Sequence, residues 1–412
     1  MNRVAITGFG VCSPIGTGAG AFWHSLRNGI SGISRIESFD CETFDVQLAG
    51  QVRETLLFDE DVMGISSLDI KIGFAYEACR QALDNAGIER LDHSTLLHLG
   101  TSLESFDLEK VICDGNPNFR DLAIRNLANP FPPLQVPLDT AAQLICRKFG
   151  TPKRSLTNCS ACAASAQAIG HGFREIRSGR VEKAVCGGFD SMVNPLGVGG
   201  FQLLGALTVD NDRGASACRP FDASRTGTVL GEGAAVFVLE PLDKARAEGK
   251  KILAEICGYS SSLDAYNLSA PDPAGDGAVR AMLQSIADAG IDVSCINHIN
   301  AHGTGTWLND QVEAAAIRKV FAGLWENIPV SSTKSMTGHM IGAAGAVEAG
   351  ACLLPLVHGV MPPNPNLKKV GKDCELNHVI NPEEHFAGEY VLSNSFGFGG
   401  QNASIVFRRY NG

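Results

Sequence analysis

Short apolar runs rich in strand-forming residues alternate with longer runs of helical periodicity, and this alternation restricts the possible folds more than any other feature. In the first part of the chain, the strand-like runs cover residues 4–7, 96–100, 183–188 and 234–239. Strands that alternate with helical segments are typical of layered α/β architecture. The pattern therefore predicts sheets whose faces are covered by helices.

The second part of the chain repeats this alternation. Its strand-like runs cover residues 252–256, 298–300, 390–392 and 403–407, and its helical segments cover 277–289, 310–321 and 342–356. The polar, charged stretch between them could form a helix that connects the two parts. We place a boundary near residue 250 and expect two units, residues 1–250 and residues 251–412.

The composition argues against several classes of protein. With 412 residues, 44% of them hydrophobic, the chain can bury a large core. A formal charge of −10 without a long Lys/Arg run disfavours nucleic-acid binding. The chain has no run of about eighteen uninterrupted apolar residues, so the sequence does not predict a membrane-spanning helix. The opening residues resemble a strand more than a signal peptide. The 13 cysteines fit buried reduced thiols. We expect a cytoplasmic protein.

Cys162 is the candidate nucleophile. It lies in a small-residue segment, 158–165, and helical spacing of small and apolar residues continues to Ile176, with a stop at Ser178 and Gly179. This spacing places Cys162 in the first turn of a helix. There the helix dipole is expected to lower the pKa of the thiol, and a neighbouring backbone N–H can stabilise an oxyanion.

Two other interpretations of this segment remain open. A cysteine among small residues is often a buried hydrophobic residue without chemistry. Cys159 and Cys162 also form a C-x-x-C motif, which occurs in redox pairs and in zinc sites. No second C-x-x-C motif is present to complete a zinc site.

Three motifs in the second part carry further candidates. His302 follows a strand-like run and is framed by glycine and threonine in residues 300–306. His339 follows Lys334 by five positions in an otherwise uncharged stretch. Either histidine alone could be structural. Near the end, residues 394–402 place two phenylalanines among glycines, which suits a mobile loop or a close backbone approach to a ligand.

Taken together, these segments resemble the condensing enzymes of the thiolase superfamily, most closely the β-ketoacyl-acyl-carrier-protein synthase II type of fatty acid and polyketide synthesis. The likeness covers the opening strand, the Cys162 segment, residues 195–201 and 231–234, and the three C-terminal motifs. It implies a five-layered αβαβα fold of two similar halves, assembled as a homodimer or as a heterodimer with a related subunit. It implies no metal, and no cofactor beyond the phosphopantetheine of an acyl carrier protein partner.

The resemblance also implies a role for individual residues. Cys162 would accept an acyl group, and His302 and His339 would promote the loss of carbon dioxide from a malonyl thioester and the condensation that follows. Lys334 would support them electrostatically, and the amides of Cys162 and Phe398 would form an oxyanion hole, with Phe398 also acting as a gate. The remaining expected roles are arm binding by Thr304 and Thr306, ordering of the site by Glu313 and Glu348, and substrate contact by Leu103, Gln135, Phe201 and Phe396.

Some positions depart from the family pattern. Gln135 lies where an apolar aromatic residue is common, so we hypothesise a preference other than ordinary saturated chains. Basic residues that would meet the carrier protein look sparse, because Gly205 lies where an arginine is often found. Two alternatives to the elongating enzyme follow: a noncatalytic partner subunit that sets chain length, and a redox or zinc-binding protein that uses Cys159 and Cys162.

Overall fold

The computed structural model of the protein describes residues 1–106, 112–113, 116–117 and 135–412. Five strands form the continuous sheet of the first half, and we number them in chain order: β1 (Val4–Ser13), β2 (Thr95–Gly100), β3 (Arg154–Asn158), β4 (Lys183–Ser191) and β5 (Leu230–Pro241). Their spatial order is β1-β5-β4-β2-β3. The first two pairings are antiparallel and the last two are parallel.

The second half repeats this arrangement with β6 (Ala254–Leu263), β7 (Ile296–Asn300), β8 (Pro329–Ser331), β9 (Tyr390–Gly397) and β10 (Gln401–Arg408). Their order is β6-β10-β9-β7-β8. Again two antiparallel pairings are followed by two parallel ones. The two halves therefore share one topology, as the resemblance implied. The boundary at residue 250 stays a prediction.

The two halves meet at β1 and β6, where residues 4–6 pair antiparallel with residues 254–256. At the opposite end of the first half, β3 pairs with β2 and forms the last strand of the sheet among the described residues. Residues 154–156 of β3 are exposed. An exposed edge strand of this kind keeps unpaired backbone groups on its outer side.

Five helices form the layers: α1 (Ile70–Ala86), α2 (Ala164–Arg177), α3 (Asp276–Asp288), α4 (Trp307–Val320) and α5 (Ala344–His358). Helix α1 covers the outer face of the first sheet, and α3 covers the second sheet with α4 packed beside it. Helices α2 and α5 pack against each other and against both sheets. They form the central helical layer of the predicted αβαβα order.

Strand β1 extends six residues beyond the predicted run at residues 4–7. The added residues include two glycines, which allow helix α1 to pack closely against the strand. A Cβ at Gly8 would lie 2.1 Å from the carbonyl oxygen of Ala82, and a Cβ at Gly10 would lie 2.1 Å from that of Ala78. Glycine interrupts the apolar pattern of the strand, yet here it allows α1 to lie directly on the sheet.

Shorter elements connect these layers. The further helices are Ala19–Arg27, Glu60–Ser66, Thr140–Phe149, Pro195–Leu203, Leu242–Ala247 and Lys334–Thr337. Single 3-10 turns cover Ala161–Ala163, Asn211–Ser216, Val293–Cys295, Trp325–Asn327, Ile341–Ala343 and Phe398–Gly400. The short strands are Gly16–Thr17, Ile33–Arg35, Leu48–Gly50, Ser105–Phe106, Ile112–Cys113, Asn116–Pro117, Gln135–Val136, Val360–Met361, Asn377–His378 and Glu384–His385.

One stretch in the described part of the chain, Ile341–His358, is long and apolar enough to cross a membrane, with a mean hydropathy of 1.5. Its apolar residues are not uninterrupted, because the stretch contains Glu348. In the fold, 89% of this stretch is buried inside the protein. It is therefore a core helix, α5, together with the turn that precedes it.

Candidate active site

Cys162 lies in the 3-10 turn that leads into α2, and its side chain is buried. The preceding residue, Ala161, has a φ of 48°, in the left-handed region that alanine rarely adopts. This backbone conformation turns the chain sharply between β3 and α2. The sequence placed Cys162 in the first turn of the α-helix, whereas the helix itself begins two residues later at Ala164.

His339 is held by its backbone and points its ring at Cys162. Its N–H donates to the carbonyl of Val229 at 2.7 Å, and its carbonyl accepts from the N–H of Gly231 at 2.9 Å. These bonds attach the histidine to the start of β5 in the other half of the chain. As a result, His339 Nε2 lies 3.1 Å from Cys162 Sγ.

His302 follows the end of β7 and lies beside His339, with the two ring centroids 5.2 Å apart and the rings at 81°. Lys334 Nζ lies 3.2 Å from His302 Nδ1 and donates to the His302 carbonyl at 2.5 Å. Because an ammonium can only donate, Nδ1 must accept from it, and the proton of a neutral His302 is on Nε2. The lysine thus selects one tautomer of the histidine.

Two buried carboxylates stabilise this cluster on the side away from Cys162. Glu313 accepts from the backbone N–H groups of His302 and Gly303 at 2.8 and 2.7 Å. Glu348 pairs with Lys334 across the interior. Burial raises the pKa of each carboxyl group to about 7. The backbone hydrogen bonds to Glu313 and the positive charge of Lys334 beside Glu348 act to lower these pKa values, but burial has the larger effect.

The predicted lowering of the Cys162 pKa is wrong. Burial raises the pKa of this thiol to about 11, although a backbone hydrogen bond from Phe398 and the charge of Lys334 both act to lower it. The helix end that favours a thiolate is therefore outweighed by the loss of solvation. Burial, followed by the charge of Lys334, also keeps the pKa of His302 and of His339 well below the usual value. At neutral pH the resting site holds a thiol and two neutral imidazoles.

The glycine-rich tail packs directly on the nucleophile. The Phe398 backbone forms a hydrogen bond with the Cys162 thiol. A Cβ at Gly397 would lie 3.0 Å from the backbone nitrogen of Cys162. The Phe398 ring packs on Phe201 with centroids 5.9 Å apart. The tail thus approaches the backbone of Cys162 closely, and its expected approach to a ligand stays a prediction.

A cavity of about 390 Å³ opens onto this cluster. Eight of the predicted residues line it, namely Cys162, Phe201, His302, Thr304, Thr306, His339, Phe396 and Phe398. Lys334, Glu313 and Glu348 lie behind the two histidines.

The structure does not bring Leu103 into this cavity, since its side chain is 60% exposed. The side chain of Gln135 lies outside the described residues. The cavity also contacts several residues that the sequence did not suggest, among them Leu204, Asp264, Trp307, Leu308 and Asn402.

Two buried charged residues that the sequence did not indicate hold the loop of Thr304 to Thr306. Asp310 accepts from the backbone N–H groups of Thr304 and Gly305 at 3.1 and 3.2 Å. Arg225, completely buried, lies 3.5 Å from Asp310 and donates to the Thr306 carbonyl at 3.2 Å. The only sequence signal was the position of Asp310, four residues after the glycine- and threonine-framed motif that contains Thr306.

The donor atoms of Cys162, His302 and His339 lie within 4.8 Å of one another, which is the separation that a metal ion requires. The ammonium of Lys334 already occupies His302 Nδ1 and places a positive charge beside this set. A second cation would be repelled there. Cys159, the other cysteine of the C-x-x-C motif, is exposed and does not belong to this set of possible metal ligands among the described residues. The residues therefore fit thiol chemistry better than metal binding.

Comparison with known proteins identifies the family. Residues 1–245 match the Beta-ketoacyl synthase, N-terminal domain, and residues 253–368 match the Beta-ketoacyl synthase, C-terminal domain. The chain belongs to the β-ketoacyl synthase family. It is 37% identical over 419 aligned positions to the 3-oxoacyl-[acyl-carrier-protein] synthase 2 of Coxiella burnetii, with 99% of both chains covered. The chain is therefore a ketosynthase-type acyltransferase, as the resemblance implied.

Solved structures of ketosynthases share the fold. The ishigamide ketosynthase/chain length factor is 34% identical, with a TM-score of 0.84 and both chains fully covered. A type II PKS acyl-carrier protein in complex with its ketosynthase bound to the hexaketide is 30% identical, with a TM-score of 0.86, and 99% of this chain and 100% of that chain are covered. The predicted thiolase-like fold is confirmed.

Proposed function

We propose that this enzyme extends acyl chains by decarboxylative condensation on an acyl carrier protein. In the first half-reaction, Cys162 Sγ attacks the carbonyl carbon of an acyl thioester. The new bond joins Sγ to the acyl carbon, and the bond between that carbon and the carrier sulfur breaks. His339 Nε2, 3.1 Å away, takes the thiol proton and returns it to the departing carrier thiolate. Backbone N–H groups at Cys162 and Phe398 stabilise the oxyanion.

In the second half-reaction, a malonyl thioester enters the same cavity. Its terminal carboxylate leaves as carbon dioxide, and the electron pair of the broken bond forms a thioester enolate. Once Sγ is acylated it offers no proton to His339, and the neutral His339 ring exchanges with solvent to carry its proton on Nε2, as His302 does. These two Nε2 protons stabilise the enolate oxygen. The enolate carbon attacks the acyl carbon on Cys162, the bond from that carbon to Sγ breaks, and the released thiolate takes up a proton from solvent. The product is a β-ketoacyl carrier thioester.

The observation that carries this proposal is the arrangement around Cys162. A buried thiol lies within hydrogen-bond distance of one imidazole, and a second imidazole beside it is kept in one tautomer by a buried lysine. A structural cysteine would not require one imidazole in contact with its thiol and a second whose proton position is set by a buried lysine. The family membership and the 37% identity to a 3-oxoacyl-[acyl-carrier-protein] synthase 2 support the same reaction.

Thr304 and Thr306 have their hydroxyl oxygens 2.9 Å apart on the wall of the cavity, between its mouth and Cys162. These hydroxyls suit the amide groups of a phosphopantetheine arm, which would deliver both substrates. The steps above require no cofactor other than this arm. We expect the reaction to occur in the cytoplasm.

Acylation of Cys162 tests the proposal directly. We expect intact mass spectrometry to detect one acyl adduct on the wild-type enzyme after incubation with acyl carrier thioesters, and none on Cys162→Ala. Addition of malonyl carrier protein should release the adduct as a β-ketoacyl product. Chain length and unsaturation of the acyl group are varied, because Gln135 predicts a preference other than ordinary saturated chains. Failure to form any adduct would contradict the proposal.

We also propose that the enzyme works as a dimer joined through β3. Among the described residues no strand pairs with the outer edge of β3, and residues 154–156 are exposed, so another chain can continue the sheet there. The partner is a second copy or a related subunit, and light scattering of the purified chain distinguishes a homodimer from a monomer that needs a partner. The presence of Cys162 with both histidines favours the catalytic role over that of a chain-length subunit.

A further inference from the structure

Three lysines lie close together on the loop of residues 368–372, which we call the basic loop. Lys368, Lys369 and Lys372 are all exposed. In the described part of the chain, none of the three ammonium groups forms an ion pair. The protein as a whole has a formal charge of −10. The basic loop is therefore a positive patch on an acidic protein.

The backbone of the basic loop is fixed by Asp222. The Asp222 carboxylate accepts from the N–H groups of Lys368 and Lys369 at 2.8 and 2.9 Å. The Lys369 carbonyl accepts from Ala223 at 2.7 Å, and Gly371 N–H donates to the Phe221 carbonyl at 2.8 Å. Since the carboxylate is used by backbone groups, the three ammonium groups remain directed to solvent. The loop presents its charge without needing to be ordered first.

The basic loop borders the mouth of the catalytic cavity. A Cβ at Gly371 would lie 2.5 Å from the guanidinium of Arg225. That guanidinium lies 4.3 Å from the centroid of the Trp307 ring, and Trp307 lines the cavity. The side chain of Gln311 contacts the Lys372 carbonyl at 3.5 Å, one helical turn beyond Trp307. The backbone of the basic loop therefore packs, through Arg225 and Gln311, beside the start of α4, where Trp307 lines the cavity.

The entrance itself is apolar. The exposed fractions are 50% for Trp307 and 58% for both Leu204 and Leu308, and all three line the cavity. Leu203 and Leu268, adjacent in sequence to lining residues, are 91% and 85% exposed. Large exposed apolar side chains grouped at a cavity mouth mark a contact surface. We call these five residues the apolar rim.

One acidic residue also lines the cavity. Asp264 lies in the lining, and its carboxylate accepts from Asn402 at 2.6 Å and from the backbone of Asp272 at 3.2 Å. A partner with an acidic face would be attracted to the basic loop and repelled by Asp264.

We infer that the carrier protein docks with a surface rich in Asp and Glu on the basic loop and with apolar side chains on the apolar rim. This inference rests on the proposed function, because the thioester must enter through this mouth. It assigns the docking charge to Lys368, Lys369 and Lys372, in place of the arginine that is missing at Gly205. The sequence suggested that docking charges were sparse, and the fold brings them from the second half of the chain.

The test compares two charge reversals of equal size. The variant is Lys369→Glu/Lys372→Glu, and the control is Arg90→Glu/Lys251→Glu, which reverses two exposed cations that do not line the cavity. Substrates are an octanoylated acyl carrier protein and octanoyl pantetheine, which lacks the protein. We expect the loop variant to raise KM for the carrier substrate about tenfold or more, and to leave acylation by octanoyl pantetheine unchanged. The control should leave both unchanged.

Binding of a fluorescently labelled carrier protein gives a second readout that does not need catalysis. We expect added salt to weaken binding to the wild type and to have much less effect on the loop variant. Equal affinity of the loop variant and the control would overturn the inference. Failure of the proposed function has a different signature, since the wild type would then remain unacylated by acyl pantetheines of every chain length and unsaturation tried.

Discussion

His339 Nε2 lies 3.1 Å from Cys162 Sγ, and the two residues come from opposite halves of the chain. The turn before α2 fixes the cysteine, and β5 fixes the histidine through two backbone hydrogen bonds. The contact pairs a thiol of raised pKa with an imidazole of lowered pKa. The nucleophile is therefore activated by proton transfer at the moment of attack, and not by a thiolate held at rest.

This relationship predicts the pH dependence of alkylation at Cys162. Because burial raises the pKa of the thiol to about 11, the thiolate fraction increases as the pH rises towards that value. We expect the rate of iodoacetamide alkylation to rise steadily between about pH 6 and pH 9. The exposed Cys159 is removed by Cys159→Ser in all samples, and Cys162→Ala supplies the background. A plateau near neutral pH would indicate a resting thiolate and contradict this view.

The two histidines should be separable by half-reaction. His302→Ala removes a proton donor for the enolate but leaves the contact between His339 and Cys162. We expect condensation to fall about 10²–10³-fold, as after loss of one oxyanion donor, with acylation reduced only a few-fold. His339→Ala should impair both steps. Single-turnover mass spectrometry measures each step, and equal losses in both steps for His302→Ala would refute the division.

The pair formed by Lys334 and Glu348 should be needed for folding as well as for catalysis, since both side chains are almost fully buried. Lys334→Met leaves Glu348 without a partner, and we expect a loss of about 3–5 kcal/mol in the free energy of unfolding. The double variant Lys334→Met/Glu348→Leu should recover most of that loss but no activity. Urea unfolding and condensation assays check both expectations. Equal stability of the single and double variants would argue against the buried pair.

A side chain at Gly397 should force the tail and the nucleophile apart, because its Cβ would lie 3.0 Å from the backbone nitrogen of Cys162. Gly397→Ala is expected to displace the Phe398 backbone from the thiol and to lower kcat by about tenfold or more. Gly64→Ala is the matched control, since a Cβ there meets nothing within 4 Å and the residue lies in a helix. Steady-state kinetics and circular dichroism distinguish a local effect from misfolding. An unchanged kcat in Gly397→Ala would contradict the role of the Phe398 backbone in the oxyanion hole.

Much of the fold was predictable because its signals are local. The helices predicted at residues 277–289 and 310–321 are found at Asp276–Asp288 and Trp307–Val320, since hydrophobic periodicity reports which face is buried. The strand at residues 4–7 was predicted too short, because Gly8 and Gly10 serve the packing of α1 and carry no periodic signal. The residues of the central cluster were found through their motifs.

The electrostatics of the site were not predictable in the same way. The helix end near Cys162 is local and suggested a low thiol pKa, but the pKa depends on how completely the surrounding chain excludes water. Arg225 and Asp310 are 85 positions apart in sequence and meet only in the interior. The lysines of the basic loop join the cavity mouth for the same reason, since Asp222 and Arg225 place them there.

The sequence by itself determined the layered α/β class, the family, and the set of groups available for thioester chemistry, because each depends on short motifs and on periodicity along the chain. Only the tertiary structure decided the protonation of Cys162, His302 and His339, and the charge around the entrance. Solvation and Coulomb interactions depend on distances between segments that are remote in sequence, and those distances exist only once the two halves are packed together.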